Sequence, residues 1–234
     1  MPVTGMQQML LDLGLAHQPS LDDFLPGSNA EAHQCLSSWS AEQWPPSPMY
    51  LWGASGCGKT HLLRAMLARV RQWGWGAIWL APGSCQMWDA AAMGAPTLAL
   101  IDDAQALHAD EQHLAFNLFI EAATAPHTLA ILGAGDAPPT DLPIRDDLRT
   151  RLGWGLVFQL HPLDDAGLQK ALHSEALRRG LQLSPEVLNY LMSRFSRDLG
   201  SLMHLLDQLD AFALAAHRPI TVPLVRQVMH LEHS

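Results

Sequence analysis

Eight consecutive residues, Gly53-Ala54-Ser55-Gly56-Cys57-Gly58-Lys59-Thr60, satisfy the spacing G-x-x-x-x-G-K-[ST] in full. Glycines in such a run let the backbone wrap an anion with its N–H groups, at the positive end of the helix that follows. Lys59 is then placed to reach the β- and γ-phosphates of a nucleotide, and the Thr60 hydroxyl to ligate Mg²⁺. Only two lysines occur in the chain, Lys59 and Lys170, so a lysine inside this loop is informative. Cys57 reads as a small loop residue rather than a redox switch. A second candidate lies at Leu98–Asp103, where an apolar run ends in two carboxylates. At the C-terminal end of a strand beside a phosphate loop, one carboxylate can hold Mg²⁺ through water while its neighbour orients an attacking water. Asp102 is expected at the metal and Asp103 at the water.

These groups meet only if strands and helices alternate. Met49–Trp52 is a short apolar run ending in glycine, the pattern of a buried parallel strand. Behind the loop, His61–Trp73 carries a helical apolar stripe at Leu62, Leu63, Met66, Leu67 and Val70. Further apolar runs fall at Ala77–Leu80, Thr97–Ile101, Thr128–Leu132 and Leu156–Leu160, with helical segments between them, Glu111–Ala123 the clearest. A helix is predicted over 30–44, closed by Pro45, Pro46 and Pro48. The fold class is therefore α/β, a five-stranded parallel sheet covered on both faces.

From Asp164 onward the pattern is helical alone, over Asp165–Arg179, Pro185–Arg194, Leu199–Ala216 and Val222–Leu231. Ser184-Pro185-Glu186 is a helix start, a capping serine followed by proline at the first helical position. The expected divisions are a tail over 1–19, an α/β nucleotide-binding domain over 20–162 and a helical domain over 163–234.

Composition narrows the function classes. Hydrophobic residues make up 48% and charged residues 16%, a globular balance. No apolar stretch approaches the ~20 residues that span a bilayer, so no membrane role is expected. Met1–Gly5 lack a basic cluster ahead of an apolar run, so no secretory signal is expected. Three widely spaced cysteines suit a reducing cytoplasm. Twelve histidines offer no metal-ligand spacing. The formal net charge of -9 leaves no surplus for a basic nucleic-acid face, so DNA contact is expected to be indirect.

The phosphate loop, the Asp102–Asp103 strand end and the helical C-terminal part together resemble the AAA+ ATPases, and within them the DnaA-related proteins. Ser20–Asn29, which contains Phe24 and Leu25, is similar to the adenine-side motif of the replication initiator DnaA. Lys59-Thr60-His61-Leu62-Leu63 and Ile101–Gln105 are similar to that group's Walker A and Walker B strings. Gly135–Pro139 occupies the sensor 1 region and brings in Asp136, and Leu148–Leu156 is close to the arginine-finger box. The initiators carry a C-terminal helix-turn-helix domain, and the sequence up to Ser234 shows none. At the other end, Gln8-Met9-Leu10-Leu11-Asp12-Leu13 is similar to the Q-[LM]-x-L-x-[LF] peptide that binds the DNA polymerase sliding clamp, with Gln8, Met9, Leu11 and Leu13 as contacts.

The resemblance implies a regulator that holds ADP or ATP with Mg²⁺ through Gly53–His61, Phe24, Leu25 and Asp136. It would sit on the sliding clamp and send Arg151 in trans to the ATP of DnaA. Arg149, two residues away, is the competing finger. Self-assembly into a homo-oligomer is compatible with the family. One departure stands out: Gly200 occupies the sensor 2 position where the family has arginine, with Arg197 almost one helical turn earlier. Weak intrinsic ATPase activity and similar affinity for ADP and ATP are expected from that loss. The readings that compete are a helicase-loader-type DNA-dependent ATPase and a small-molecule kinase.

Overall fold

A computed structural model describes residues 19–43, 48–88, 96–124, 127–194, 199–216 and 220–232. Its centre is one sheet in the order β3-β2-β4-β5-β1-β6, built from β1 (Met49–Trp52), β2 (Gly76–Ala81), β3 (Ser84–Trp88), β4 (Thr97–Ile101), β5 (Leu129–Gly135) and β6 (Leu156–Gln159). Five of these strands are parallel, as predicted. The sixth, β3, folds back antiparallel on β2 and makes one edge. The tight turn at Pro82-Gly83, with Gly83 at φ 74°, lets the chain reverse within two residues.

Alternation along each strand sends side chains to opposite faces. Met49, Leu51, Leu98, Leu100 and Leu132 pack under α1 (Ala30–Ser37) and α2 (Lys59–Gln72), against Leu36, Leu62, Leu63, Met66 and Val70. Tyr50, Ala99, Ile101 and Ile131 face the other way, against Leu118 and Phe119 of α3 (Ala109–Thr124) and Leu148 and Leu152 of α4 (Asp146–Leu152). The first helix is shorter than the predicted 30–44. It closes at Ser38, whose hydroxyl donates to Cys35 O at 2.7 Å and competes with the helical ladder.

Residues beyond 163 build a core of their own. Leu168 and Leu172 of α5 (Asp165–Arg178), Leu188 and Leu191 of α6 (Pro185–Arg194), Leu205 and Leu209 of α7 (Leu199–Ala216) and Val225 of α8 (Val222–Glu232) pack together. Asp164 caps α5 by accepting from Gly167 N at 2.7 Å. The segment that leads into this lid is held by Asn29, and the lid itself by an ion pair to the sheet domain. The buried Asn29 amide donates to His161 O and accepts from His161 N, both at 2.8 Å. Arg178 pairs with Asp23 at 2.9 Å.

A phosphate cradle and an outward arginine

The cradle is shaped by what its glycines must pass. At Gly53 φ is 155°, and a Cβ there would lie 2.2 Å from Leu160 O; at Gly58 φ is 97°, and a Cβ would lie 2.7 Å from Phe24 Cε2. The loop is thus wedged between the end of β6 and the aromatic ring, with room for hydrogen alone. Gly58 is the N-cap of α2 and provides no side-chain acceptor, so the chain leaves the first amides of that helix uncapped at its positive end. Ala54 and Ser55 are exposed on the loop, Gly56 half-buried and Cys57 buried. Lys59 is buried, and its ammonium donates to Gly53 O at 2.7 Å and Ala54 O at 2.9 Å, with Cys57 Sγ at 3.8 Å. That cation therefore lies across the cradle it would serve.

Thr60 Oγ1 donates to Asp102 Oδ2 at 2.9 Å, which brings the two expected metal-side groups together across 42 positions of sequence. Burial pushes the Asp102 carboxyl above its ordinary value; the Thr60 bond opposes the shift and the neighbouring Asp103 adds to it. Asp103 sits in a left-handed conformation, φ 48°, and is exposed. Its Oδ1 accepts from Gln105 Nε2 at 3.2 Å, and Gln105 Oε1 accepts from Asp136 N at 3.1 Å. Gln105 thereby joins the end of β4 to the end of β5, a role that no motif in the sequence signals. Among the described residues no cluster of three His, Cys, Asp or Glu could cage a metal. The Thr60–Asp102 pair instead fits Mg²⁺, which is usually held by one or two protein oxygens together with phosphate and water.

Beside the cradle, a cavity of about 630 Å³ opens between the sheet domain and the lid. Phe24, Leu25 and His61 line one wall, and Leu163, Gly200 and Met203 line the other. Phe24 is stacked between His33 (5.6 Å, 15°) and His61 (6.2 Å, 29°). His61 Nε2 bonds Ser20 O at 3.2 Å, and burial holds the ring's pKa below its ordinary value. Gly200 brings no charge to its wall. The cations lining this cavity, Arg178 and Arg179, are engaged by carboxylates: Arg178 by Asp23 and Glu175, Arg179 by Glu175 and Asp207.

The two finger candidates separate in the structure. Arg149 is paired with Asp146 and also donates to Leu142 O at 3.4 Å. Arg151 pairs with no carboxylate among the described residues. Its guanidinium lies 4.1 Å from the Trp154 ring centroid and 5.5 Å from that of Phe116. Gln8, Met9, Leu11 and Leu13 of the clamp-type peptide lie outside the described residues, as does Arg197.

A mostly parallel sheet with a phosphate loop after its first strand, an acid pair at the end of a nearby strand and a four-helix lid define an AAA+ P-loop protein. Residues 160–229 match the family described as "Hda, lid domain". An uncharacterised protein of Haemophilus influenzae is 34% identical over 235 residues, covering 96% of this chain and 99% of that protein. The chain belongs to the Hda/DnaA-related family of AAA+ proteins. Among solved structures, domain III of the Thermotoga maritima replication initiation protein DnaA superposes with a TM-score of 0.72 at 20% identity, over 91% of this chain and 96% of that one. AMPPCP-bound DnaA from Aquifex aeolicus gives 0.64 at 22% identity, over 83% of this chain and 65% of that one. At these identities the likeness establishes the fold. Among the described residues no helix is long and apolar enough to cross a membrane.

Proposed function

We propose that this chain is an adenine-nucleotide-binding regulator of replication initiation that acts on a second protein. Tethered to the sliding clamp through Gln8, Met9, Leu11 and Leu13, it presents Arg151 to ATP held by the initiator DnaA and stimulates hydrolysis there. The observation that carries this reading is the placement of Arg151: an arginine with no carboxylate partner among the described residues, in a chain whose lid matches that of Hda. A planar guanidinium can meet charge building on a transferring phosphoryl group through several donors at once, which lysine cannot.

In its own site the cradle amides and Lys59 would hold phosphate, and Thr60 with Asp102 would hold the Mg²⁺. Bound Mg²⁺ neutralises phosphate charge. Phe24, Leu25 and His61 shape the base side, and Asp103 and Asp136 are held in place through Gln105. With Gly200 on the lid wall, no sensor arginine at that position distinguishes a third phosphate. The chain is therefore proposed to hold ADP about as well as ATP, to hydrolyse ATP slowly by itself, and to work in the cytoplasm with DNA contact made through the clamp.

The test is a reconstituted assay of initiator-bound ATP hydrolysis with clamp loaded on DNA. Wild type is expected to accelerate hydrolysis, whereas Arg151→Ala and Gln8→Ala should each remove the acceleration. Equal rates for all three would sink the mechanism.

A further inference from the structure

Arg145, Arg149 and Arg151 lie within seven residues, and their surroundings differ in kind. Arg145 is paired with Asp147 at 2.6 Å, although its guanidinium also lies 5.7 Å from the Phe116 ring centroid, and Arg149 is paired with Asp146. Arg151 instead rests on aromatic faces, closest to Trp154, just past the end of α4. The Trp154 side is not core: the residue is 61% exposed.

The two kinds of support do different things to a cation. A carboxylate partner occupies guanidinium N–H donors and offsets the charge. A π face attracts the flat of the guanidinium and leaves the in-plane N–H donors unspent. An arginine that must hand its charge to a phosphate on another molecule needs to be held in place without being neutralised. An aromatic seat meets both requirements.

Resting on the reading that Arg151 acts in trans, we propose that Trp154 is a positioning residue for that cation. Its exposed ring carries the guanidinium at the subunit edge, so that the finger is ordered before it docks. The partner's phosphate would receive an arginine whose orientation is already set and whose donors are all available. The carboxylates nearby are spoken for by the other two arginines: Asp146 holds Arg149 and Asp147 holds Arg145.

The experiment uses the full chain in the clamp-loaded hydrolysis assay, titrating chain against initiator to separate the maximal rate from the half-saturating concentration. Trp154→Ala and Trp154→Leu should each lower the maximal rate, roughly tenfold for a cation–π seat of this kind, and leave half-saturation within about twofold. Trp154→Phe, which restores a π face, should recover most of the rate. Leucine keeps apolar bulk without the quadrupole. If it supports the wild-type rate, or if the loss falls entirely on half-saturation, the positioning role is overturned. Arg151→Ala run alongside separates the two ideas. Should that variant lose stimulation while all three Trp154 variants keep it, the positioning fails and the trans finger stands; should Arg151→Ala itself stimulate fully, the finger reading fails first.

Discussion

Lys59 and Arg151 are both cations suited to phosphate, and the molecule treats them in opposite ways. Lys59 is buried in its own loop with its ammonium on Gly53 O and Ala54 O, so any phosphate it meets must enter that cradle. Arg151 lies at the end of α4 on Trp154, with no carboxylate among the described residues to hold it. On the proposed reading, one cation would bind a ligand inside the chain and the other would reach outside it. If that division holds, a single fold separates holding a nucleotide from promoting hydrolysis of one, and single substitutions should sever the two.

The largest separation is expected at Arg151. Arginine fingers are worth ~10³–10⁵ in rate, so Arg151→Ala should cut stimulated hydrolysis by about 10³ while leaving the chain's own nucleotide affinity unchanged by calorimetry. Lys59→Ala should do the reverse in kind, weakening ADP binding by roughly 10–100-fold through loss of a charge-assisted contact. If the two variants fail in the same assay and to the same extent, the division between the cations is false.

Smaller effects sharpen the picture of what supports the cradle. Leu172→Ala, in the centre of the lid core, should lower unfolding stability by about 3 kcal/mol. Asn29→Ala removes the paired bonds to His161 and should cost about 2 kcal/mol in denaturant titration. The smallest concerns His61, whose folded-state pKa lies below its ordinary 6.5. The unfolded chain takes up that proton more readily, so the stability His61 contributes is whole above 6.5 and is lost as pH falls from there through the folded value. His61→Gln should flatten that part of the melting-temperature profile; an unchanged slope would mean the ring titrates freely in the fold.

Much of this was legible in the residues because the signals are local. Met49–Trp52, Leu98–Ile101 and Leu129–Leu132 are apolar throughout, as strands buried on both faces must be. The loop from Gly53 to Thr60 carries its own spacing. The strand β3 was not legible, since Ser84-Cys85-Gln86-Met87-Trp88 is a short, mixed run whose Met87 is exposed. The aromatic stack was hidden for another reason: Phe24, His33 and His61 meet only after α1 and α2 pack. Nor could spacing choose between Arg149 and Arg151. The difference lies in Asp146 pairing with one and Trp154 turning its face to the other. Gln105 carries no signature in the sequence because its amide acts by linking the ends of two strands, a contact no motif encodes.

The most direct measurement is the single-turnover rate of ATP preloaded on the initiator, mixed with clamp on DNA and either wild type or Arg151→Ala, each verified to bind ADP equally. The account predicts rapid loss of the γ-phosphate with wild type and a rate near that of initiator alone with the variant. Hydrolysis by the variant at the wild-type rate would contradict it.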